Sequence, residues 1–257
     1  MKVVILAGGK GTRLSEETNL IPKPMSLIGD IPIIYHIMKN FRYYGFKNFI
    51  ILVGYKSYKI KEYFENFYRY NSNIEINLKT NKKKILNNSK DDFNIKIIET
   101  GLETLTGGRI LRAKKYIGNN DFFLTYGDCI SDINIKDLLN SHKKNRKTAT
   151  VTAVNPRTQY GSIKLNKNLV VNFKEKPFLS ENLISGGFFV FKSKIFSLLK
   201  DDNTILEREP LETLVKQKQL HAYTHKGFWH PMDNLRDKNN LNQLWKNDQA
   251  PWKKFFK

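Results

Sequence analysis

Val3-Val4-Ile5-Leu6-Ala7, followed without a break by Gly8-Gly9-Lys10-Gly11-Thr12-Arg13-Leu14, is the stretch that decides the fold. Five consecutive apolar residues, three of them β-branched, suit a strand buried on both faces in the middle of a parallel sheet. Glycines at 8, 9 and 11 then let the backbone turn tightly and bring N–H groups against a ligand, an arrangement suited to phosphate. The spacing is neither the G-x-G-x-x-G of a dinucleotide site nor the G-x4-G-K-[ST] of a P-loop, which excludes both. Arg13 adds a permanent cation with a planar fork that fits phosphate. The competing reading is a strand-to-helix turn that merely needs glycines.

Ten residues on stands Pro22-Lys23-Pro24-Met25. Two prolines around a lysine predict an extended backbone that presents Lys23 stiffly toward an anion. Two rigid cations so close in sequence repel each other unless an anion comes between them.

Beyond these loops the chain reads as strand, loop and helix in alternation. Helical spacing runs from Ile33 to Phe41 and is closed by Gly45. Phe49 to Val53 is a second buried strand, and Tyr58 to Phe67 a second helix. Ile74 to Leu78 and Ile95 to Ile98 are strands around a polar stretch, Thr80 to Asp92, expected as a mobile loop or hairpin. Gly107-Gly108 precede a helix carrying Ile110, Leu111 and Ala113, and Phe122 to Thr125 is a third buried strand. The second half has strands at Thr148 to Val154, Ser162 to Leu165, Val170 to Phe173 and Gly187 to Phe191. Its helices are Ile195 to Leu199, Glu209 to Lys216 and Leu235 to Trp245. The pattern predicts one α/β unit over residues 1–257: a Rossmann-like mixed, mostly parallel sheet flanked by helices. Ligands of such sheets sit outside the carboxyl ends of the strands, so the residues there carry the functional reading.

After the third strand comes Tyr126-Gly127-Asp128. A carboxylate at a strand end is a hard ligand for Mg²⁺, which takes one or two protein carboxylates plus substrate phosphates. Asp233, in Gly227-Phe228-Trp229-His230-Pro231-Met232-Asp233, is the expected second carboxylate, with Asp132 as its rival. A helix N-cap or Asx-turn is the alternative for Asp128. Glu175-Lys176-Pro177 holds another lysine beside a proline. Thr104, Thr106, Gly107, Gly108 and Arg109 make a polar helix start suited to an anion or a base edge. The histidines show no metal-ligand spacing, and no G-x-S-x-G nucleophile elbow occurs.

Composition narrows the classes further. Lys and Arg number 44 against 24 acids, a formal charge of +20. No basic block of five or six occurs, so the excess reads as a solvated surface that steers polyanionic small substrates, with neither nucleic acid nor membrane as a partner. One cysteine, Cys129, excludes a disulfide framework and a multi-cysteine zinc site, and fits the cytoplasm. No run approaches 18 apolar residues, and the apolar start is too short for a signal peptide.

The glycine loop and Pro22-Lys23-Pro24-Met25 together resemble the signature of sugar-1-phosphate nucleotidyltransferases. Ser15-Glu16-Glu17-Thr18, Tyr35-His36-Ile37-Met38, Thr106-Gly107-Gly108-Arg109, Glu175-Lys176-Pro177, Gly186-Gly187-Phe188-Phe189, the Gly227–Asp233 segment and Ala250-Pro251-Trp252-Lys253 resemble its glucose-1-phosphate cytidylyltransferase branch. The resemblance covers residues 1 to about 254. It implies that CTP and α-D-glucose 1-phosphate give CDP-glucose and pyrophosphate with Mg²⁺, in a homo-oligomer. It implies a nucleotide-binding half over about 1–130 and a sugar-phosphate-binding half over about 131–257. Leu6, Ala7, Gly8, Gly9 and Lys10 would lie near the base, and Gly11, Thr12 and Arg13 near the phosphates. Thr104, Thr106, Arg109 and Gly127 would line the nucleotide side. Arg13 and Lys23 would be the catalytic cations, Asp128 and Asp233 the metal ligands, and Lys176 with Glu175 and Gly187 the sugar-phosphate contacts. Cys129 where the family often has glycine, Lys174, Asp30-Ile31 and a one-residue shortening near Gly118 to Asp121 depart from the pattern. The alternatives are the same reaction with UTP, dTTP or another sugar 1-phosphate, and a non-catalytic basic nucleic-acid-binding protein. A lipid-surface glycosyltransferase would want a D-x-D motif after a strand, and none occurs there.

Overall fold

The computed structural model describes residues 1–14, 18–86, 91–156, 162–166, 169–174 and 183–256. Seven strands form its main sheet: β1 Lys2–Ala7, β2 Asn48–Val53, β3 Asn94–Glu99, β4 Phe122–Tyr126, β5 Ala149–Val154, β6 Ile184–Phe191 and β7 Leu220–His225. Their spatial order is β7-β5-β6-β4-β1-β2-β3. β1 pairs in parallel with β2 and β4, β2 with β3, and β5 with β7, while β6 runs antiparallel between β4 and β5. The longer helices are α1 Ile33–Tyr43, α2 Ser57–Glu65, α3 Thr106–Arg112, α4 Ile135–Asn145, α5 Glu209–Lys216 and α6 Leu235–Lys246. The mixed, mostly parallel α/β sheet expected from the alternation is the one observed.

The unbroken apolar run of β1 follows from two cores. Val3, Ile5 and Ala7 pack on one side of the sheet with Ile33, Ile37, Met38 and Phe41 of α1. Val4 and Leu6 face the other side, with Ile110, Ala113 and Ile117. Successive side chains alternate faces, so a strand covered on both must be apolar at every position. β1 also sits where the order turns, between β2 and β4. Connections leave it in opposite directions, and a crevice opens beyond its carboxyl end.

Several elements differ from the sequence expectation. α4 was not anticipated, because its buried face is only Ile135, Leu138 and His142. Its start is fixed by Asn134 Oδ1, which accepts from the Lys136 and Asp137 amides. Ile195 to Leu199 is a 3₁₀ turn over Ser193–Leu198 rather than an α-helix. β7 was missed because its alternation is weak on a half-buried edge. Part of Thr80 to Asp92 does form a hairpin, Lys82–Ile85 pairing with Ile74–Asn77, while 87–90 lie outside the described residues. No helix among the described residues is long and apolar enough to cross a membrane.

The aromatic carboxyl-terminal stretch docks on α1. Trp252 is 1% exposed, and its indole Nε1 donates to His36 Nδ1 at 3.2 Å. His36 Nε2 faces the Ile28 carbonyl at 3.0 Å. A carbonyl only accepts and an indole N–H only donates, so these partners fix the neutral Nε2–H form. Burial lowers the His36 pKa to about 4, with the Ile28 and Ile31 carbonyls opposing it in part. The folded value lies below the unfolded one of about 6.5, so the unfolded chain takes the proton first. This contribution is therefore complete above about pH 6.5 and is lost as pH falls toward 4. Thermal melts should show about 2 kcal/mol less stability at pH 5 than at pH 7.5 from this ring, and His36→Gln should flatten that difference.

Candidate active site

The loop after β1 and the turn after β4 meet in one cleft of about 480 Å³. It is lined by Leu6, Ala7, Gly8, Gly9, Lys10, Gly11 and Thr12, by Lys23, by Thr104, Thr106 and Arg109, and by Gly127, Asp128 and Asp233. Residues scattered over two hundred positions thus converge as the sequence reading expected. The backbone of Arg13 lies in the 3₁₀ turn Thr12–Leu14, and its side chain is outside the described part. Glu175 and Lys176 lie outside the described residues as well.

The glycine loop is shaped from below by Arg109, which is 5% exposed. Its guanidinium donates to the carbonyls of Gly8 (3.0 Å), Gly101 (2.7 Å) and Leu102 (3.2 Å), and to Thr100 Oγ1 (2.6 Å). Burial, with repulsion from Arg112, pulls its pKa below the usual arginine value. A Cβ on Gly8 would stand 2.1 Å from Arg109 Nη1, so glycine there makes room for the guanidinium. Gly11, with φ +64°, supplies the left-handed turn that only glycine takes freely.

Lys23 departs from the expected extended presentation. Pro22 is extended, but Lys23–Met25 is a tight 3₁₀ turn with the Met25 amide donating to the Pro22 carbonyl at 2.8 Å. Proline favours the first position of a turn as much as an extended run. The turn buries the lysine to 7% exposure and aims its ammonium at two carboxylates. Nζ donates to Asp128 Oδ2 at 2.7 Å and to Asp233 Oδ1 at 2.9 Å. Burial works to lower the Lys23 pKa, but Asp128 and then Asp233 outweigh it, and the net shift is upward.

A small antiparallel ribbon brings the two acids together. Cys129–Ser131 pairs with Trp229–Pro231, Cys129 opposite Pro231, so residues 128 and 233 flank the same end. The Met232 amide donates to the Asp128 carbonyl at 2.9 Å. Asp237, which closes the capping box of α6 with Asn234, also accepts from the Asp233 amide at 3.0 Å and so fixes that backbone. The rival acid, Asp132, is engaged elsewhere. Its Oδ1 meets His225 Nε2 at 3.0 Å and accepts from the Phe228 amide at 2.8 Å.

The start of α3 differs from the expected anion site. The Gly107 and Gly108 amides donate to the Thr204 carbonyl at 2.9 and 3.2 Å. Thr104, Leu105 and Thr106 line the cleft there. Gly187, expected on the sugar side, takes φ +75° and packs on the Tyr126 ring, 2.6 Å from Cδ2 to where a Cβ would sit. The sequence reading gave no role to Leu102, Glu103, Leu105 or Tyr126, all on the cleft. Only Tyr126 carried a signal, its place at a strand end. Glu103 pairs with Lys10 at 2.7 Å.

Fold and cleft define an α/β protein that gathers cations, backbone amides and paired carboxylates at a topological switch point. The family model for nucleotidyl transferases matches residues 2–245, and the chain belongs to that family. It is 44% identical to a glucose-1-phosphate cytidylyltransferase of Salmonella typhimurium over 254 residues, 98% of this chain and 99% of that relative. A mannose-1-phosphate guanyltransferase of Gibberella zeae is 27% identical over 92% of this chain and 62% of its own length. The solved structure of HddC from Yersinia pseudotuberculosis matches with a TM-score of 0.69 at 24% identity, over 95% of this chain and 99% of that one. That last likeness is one of fold.

Proposed function

We propose that the protein is a nucleotidyltransferase that joins CTP to α-D-glucose 1-phosphate, releasing pyrophosphate and forming CDP-glucose. The observation that carries this reading is the Lys23 ammonium held on Asp128 and Asp233 at the foot of the glycine loop, in one cleft. The near-complete match to the Salmonella typhimurium relative supports the choice of nucleotide and sugar.

The chemistry is attack by a glucose 1-phosphate oxygen on the α-phosphorus of CTP, in line with the departing pyrophosphate. The nucleophile is already an anion, so no general base is required. The obstacle is repulsion between two polyanions, and catalysis consists of positioning and charge neutralisation. Leu6 to Thr12 would cradle base and phosphates through backbone groups. Thr104, Thr106 and Gly127 would complete that wall, and Arg109 would hold the loop in shape. Arg13 and Lys23 would stabilise charge on the α-phosphate and leaving group. Lys176, with Glu175 and Gly187, would aim the sugar phosphate.

Asp128 and Asp233 would hold Mg²⁺, which when bound supplies positive charge to the triphosphate oxygens. The donor set fits that ion. Two carboxylate oxygens already reach one cation, the Lys23 ammonium, at 2.7 and 2.9 Å, and Mg²⁺ takes one or two protein carboxylates with the rest of its shell from phosphate and water. The Ile74–Asn77/Lys82–Ile85 ribbon, with Ile74, Ile76 and Ile85 exposed, supports assembly as a homo-oligomer, because a lone two-stranded ribbon is marginal in water.

The test is pyrophosphate release from each nucleoside triphosphate with glucose 1-phosphate, run with and without Mg²⁺. CTP should exceed UTP and dTTP by at least tenfold, and omission of Mg²⁺ should abolish release. Equal rates with UTP or dTTP would overturn the nucleotide assignment.

A further inference from the structure

Two hydroxyls on the cleft lining converge on one carboxylate that no motif and no step of the mechanism uses. Thr106 Oγ1 donates to Glu207 Oε2 at 2.6 Å, and the Tyr126 hydroxyl donates to Glu207 Oε1. Glu207 is exposed and stands beside the cleft, whereas the acids that line it have lysine partners: Glu103 has Lys10, and Asp128 and Asp233 share Lys23. Glu207 has no Lys or Arg within ion-pair distance among the described residues. Its partners are neutral hydroxyls.

A long stretch of sequence is arranged to place it there. The segment before α5 is laid onto the start of α3, with the Leu105 amide donating to the Asp202 carbonyl at 2.8 Å and the Gly107 amide to the Thr204 carbonyl at 2.9 Å. The Leu206 amide donates to Thr106 Oγ1 at 2.9 Å. Arg112 pairs with Asp202 from the same helix. A Cβ on Gly108 would lie 2.5 Å from the Asp202 carbonyl oxygen, and one on Gly107 2.7 Å from Thr204 Cγ2. Gly107-Gly108 therefore serves to let residues 202–207 approach, and Glu207 is what that approach delivers to the end of β4.

The consequence is electronic. A hydroxyl has one proton, and both hydroxyls give theirs to Glu207. Thr106 Oγ1 has also filled a lone pair with the Leu206 amide. The Tyr126 oxygen keeps a lone pair, so it can accept and cannot donate. An acceptor backed by a carboxylate repels phosphate oxygens and favours a ligand that brings a proton. The neutral, hydroxyl-bearing part of a substrate is that ligand, and a sugar hydroxyl rejected or accepted by one fixed acceptor is a source of specificity. The Tyr126 ring lies on Gly187, and Tyr126 stands two residues before Asp128.

We infer that Glu207 is a positioning residue that locks the Tyr126 hydroxyl as an acceptor for a hydroxyl of the hexose, and so sets the choice of sugar 1-phosphate. The inference rests on the proposed function and assigns part of the same cleft. It is tested by steady-state pyrophosphate release with the full chain, in wild type, Glu207→Gln, Tyr126→Phe and the double variant. A carboxamide has the shape of the carboxylate but can donate as well as accept, so it frees the Tyr126 proton to turn into the cleft. Glu207→Gln should raise KM for glucose 1-phosphate about tenfold, the scale of one hydrogen bond, with kcat within about threefold and KM for CTP unmoved. The double variant should be no worse than Tyr126→Phe alone. Wild-type preference for glucose 1-phosphate over one of its monodeoxy analogues should shrink by the same factor.

A rise in KM for CTP, with lost preference for CTP over 2′-deoxy-CTP, would place the hydroxyl on the ribose and overturn the hexose assignment. A fall in kcat together with a lower melting temperature in both single variants would make the network merely structural and overturn it too. Unmoved KM values in an active series overturn this inference alone. A wild type that releases no pyrophosphate from any pair overturns the functional reading and this inference with it.

Discussion

Lys23→Ala lowers turnover by about two to three orders of magnitude, the scale of one preorganised electrostatic stabiliser, and lowers the melting temperature by about 5 °C. Both effects come from the same ammonium. It is 7% exposed and donates to Asp128 and Asp233 together. Without it, two carboxylates held close by the Cys129–Ser131/Trp229–Pro231 ribbon lose the ammonium that bridges them. Removing one partner of such a group costs about 2 kcal/mol, which corresponds to a few degrees in a chain of this size. Lys23→Arg does not restore the rate, because a planar fork cannot occupy the place of a compact ammonium between two acids. Because the net shift of the Lys23 pKa is upward from 10.5, the ion-pair contribution is present throughout neutral pH and is lost only as pH rises through the folded value. The decisive measurements are single-turnover pyrophosphate release and a melt on the same preparation. Retained turnover in Lys23→Ala refutes the catalytic role.

The glycine loop, Lys23, Asp128 and Asp233 were legible in the sequence because each stands at the carboxyl end of a strand or in a proline-shaped turn. In a sheet whose order turns at β1, those ends share one crevice. The pairing of Lys23 with the two acids was not legible. It depends on the ribbon that sets Cys129 opposite Pro231, and two three-residue strands a hundred positions apart leave no periodic signal. The two prolines do make the segment rigid, but as a 3₁₀ turn rather than an extended run, since proline fits the start of such a turn as well. Gly107-Gly108 looks like an anion site in the sequence because a glycine-rich helix start normally leaves free amides. Here the Gly107 and Gly108 amides meet the Thr204 carbonyl, a contact no local pattern encodes. Glu207 carried no signal for the same reason, being one glutamate among the surface charges of a polar segment until the fold brings it to Tyr126 and Thr106.

Asp128→Asn separates what Lys23→Ala combines. Turnover should fall by about three orders of magnitude, since the proposed charge-bearing ligand for Mg²⁺ is exchanged for a neutral amide. Stability, in contrast, should hold within about 1 kcal/mol or rise slightly. Lys23 keeps Asp233 at 2.9 Å, the asparagine carbonyl still accepts from Nζ, and one of two crowded negative charges is gone. Active sites commonly hold such repulsion at a cost in stability, and relieving it trades function for fold. A readout independent of turnover is Mn²⁺ titration of the protein with CTP present, followed by paramagnetic relaxation of water. The half-saturating Mn²⁺ concentration should rise at least tenfold in Asp128→Asn and in Asp233→Asn alike, because under the proposed assignment each acid would supply one charged oxygen to the same ion. Asymmetry, with Asp233→Asn binding Mn²⁺ like the wild type, would remove Asp233 from the proposed ligand set and keep its role as the second anchor of Lys23. A melting temperature that dropped in Asp128→Asn as far as in Lys23→Ala would show that Asp128 works for the fold rather than for the cation.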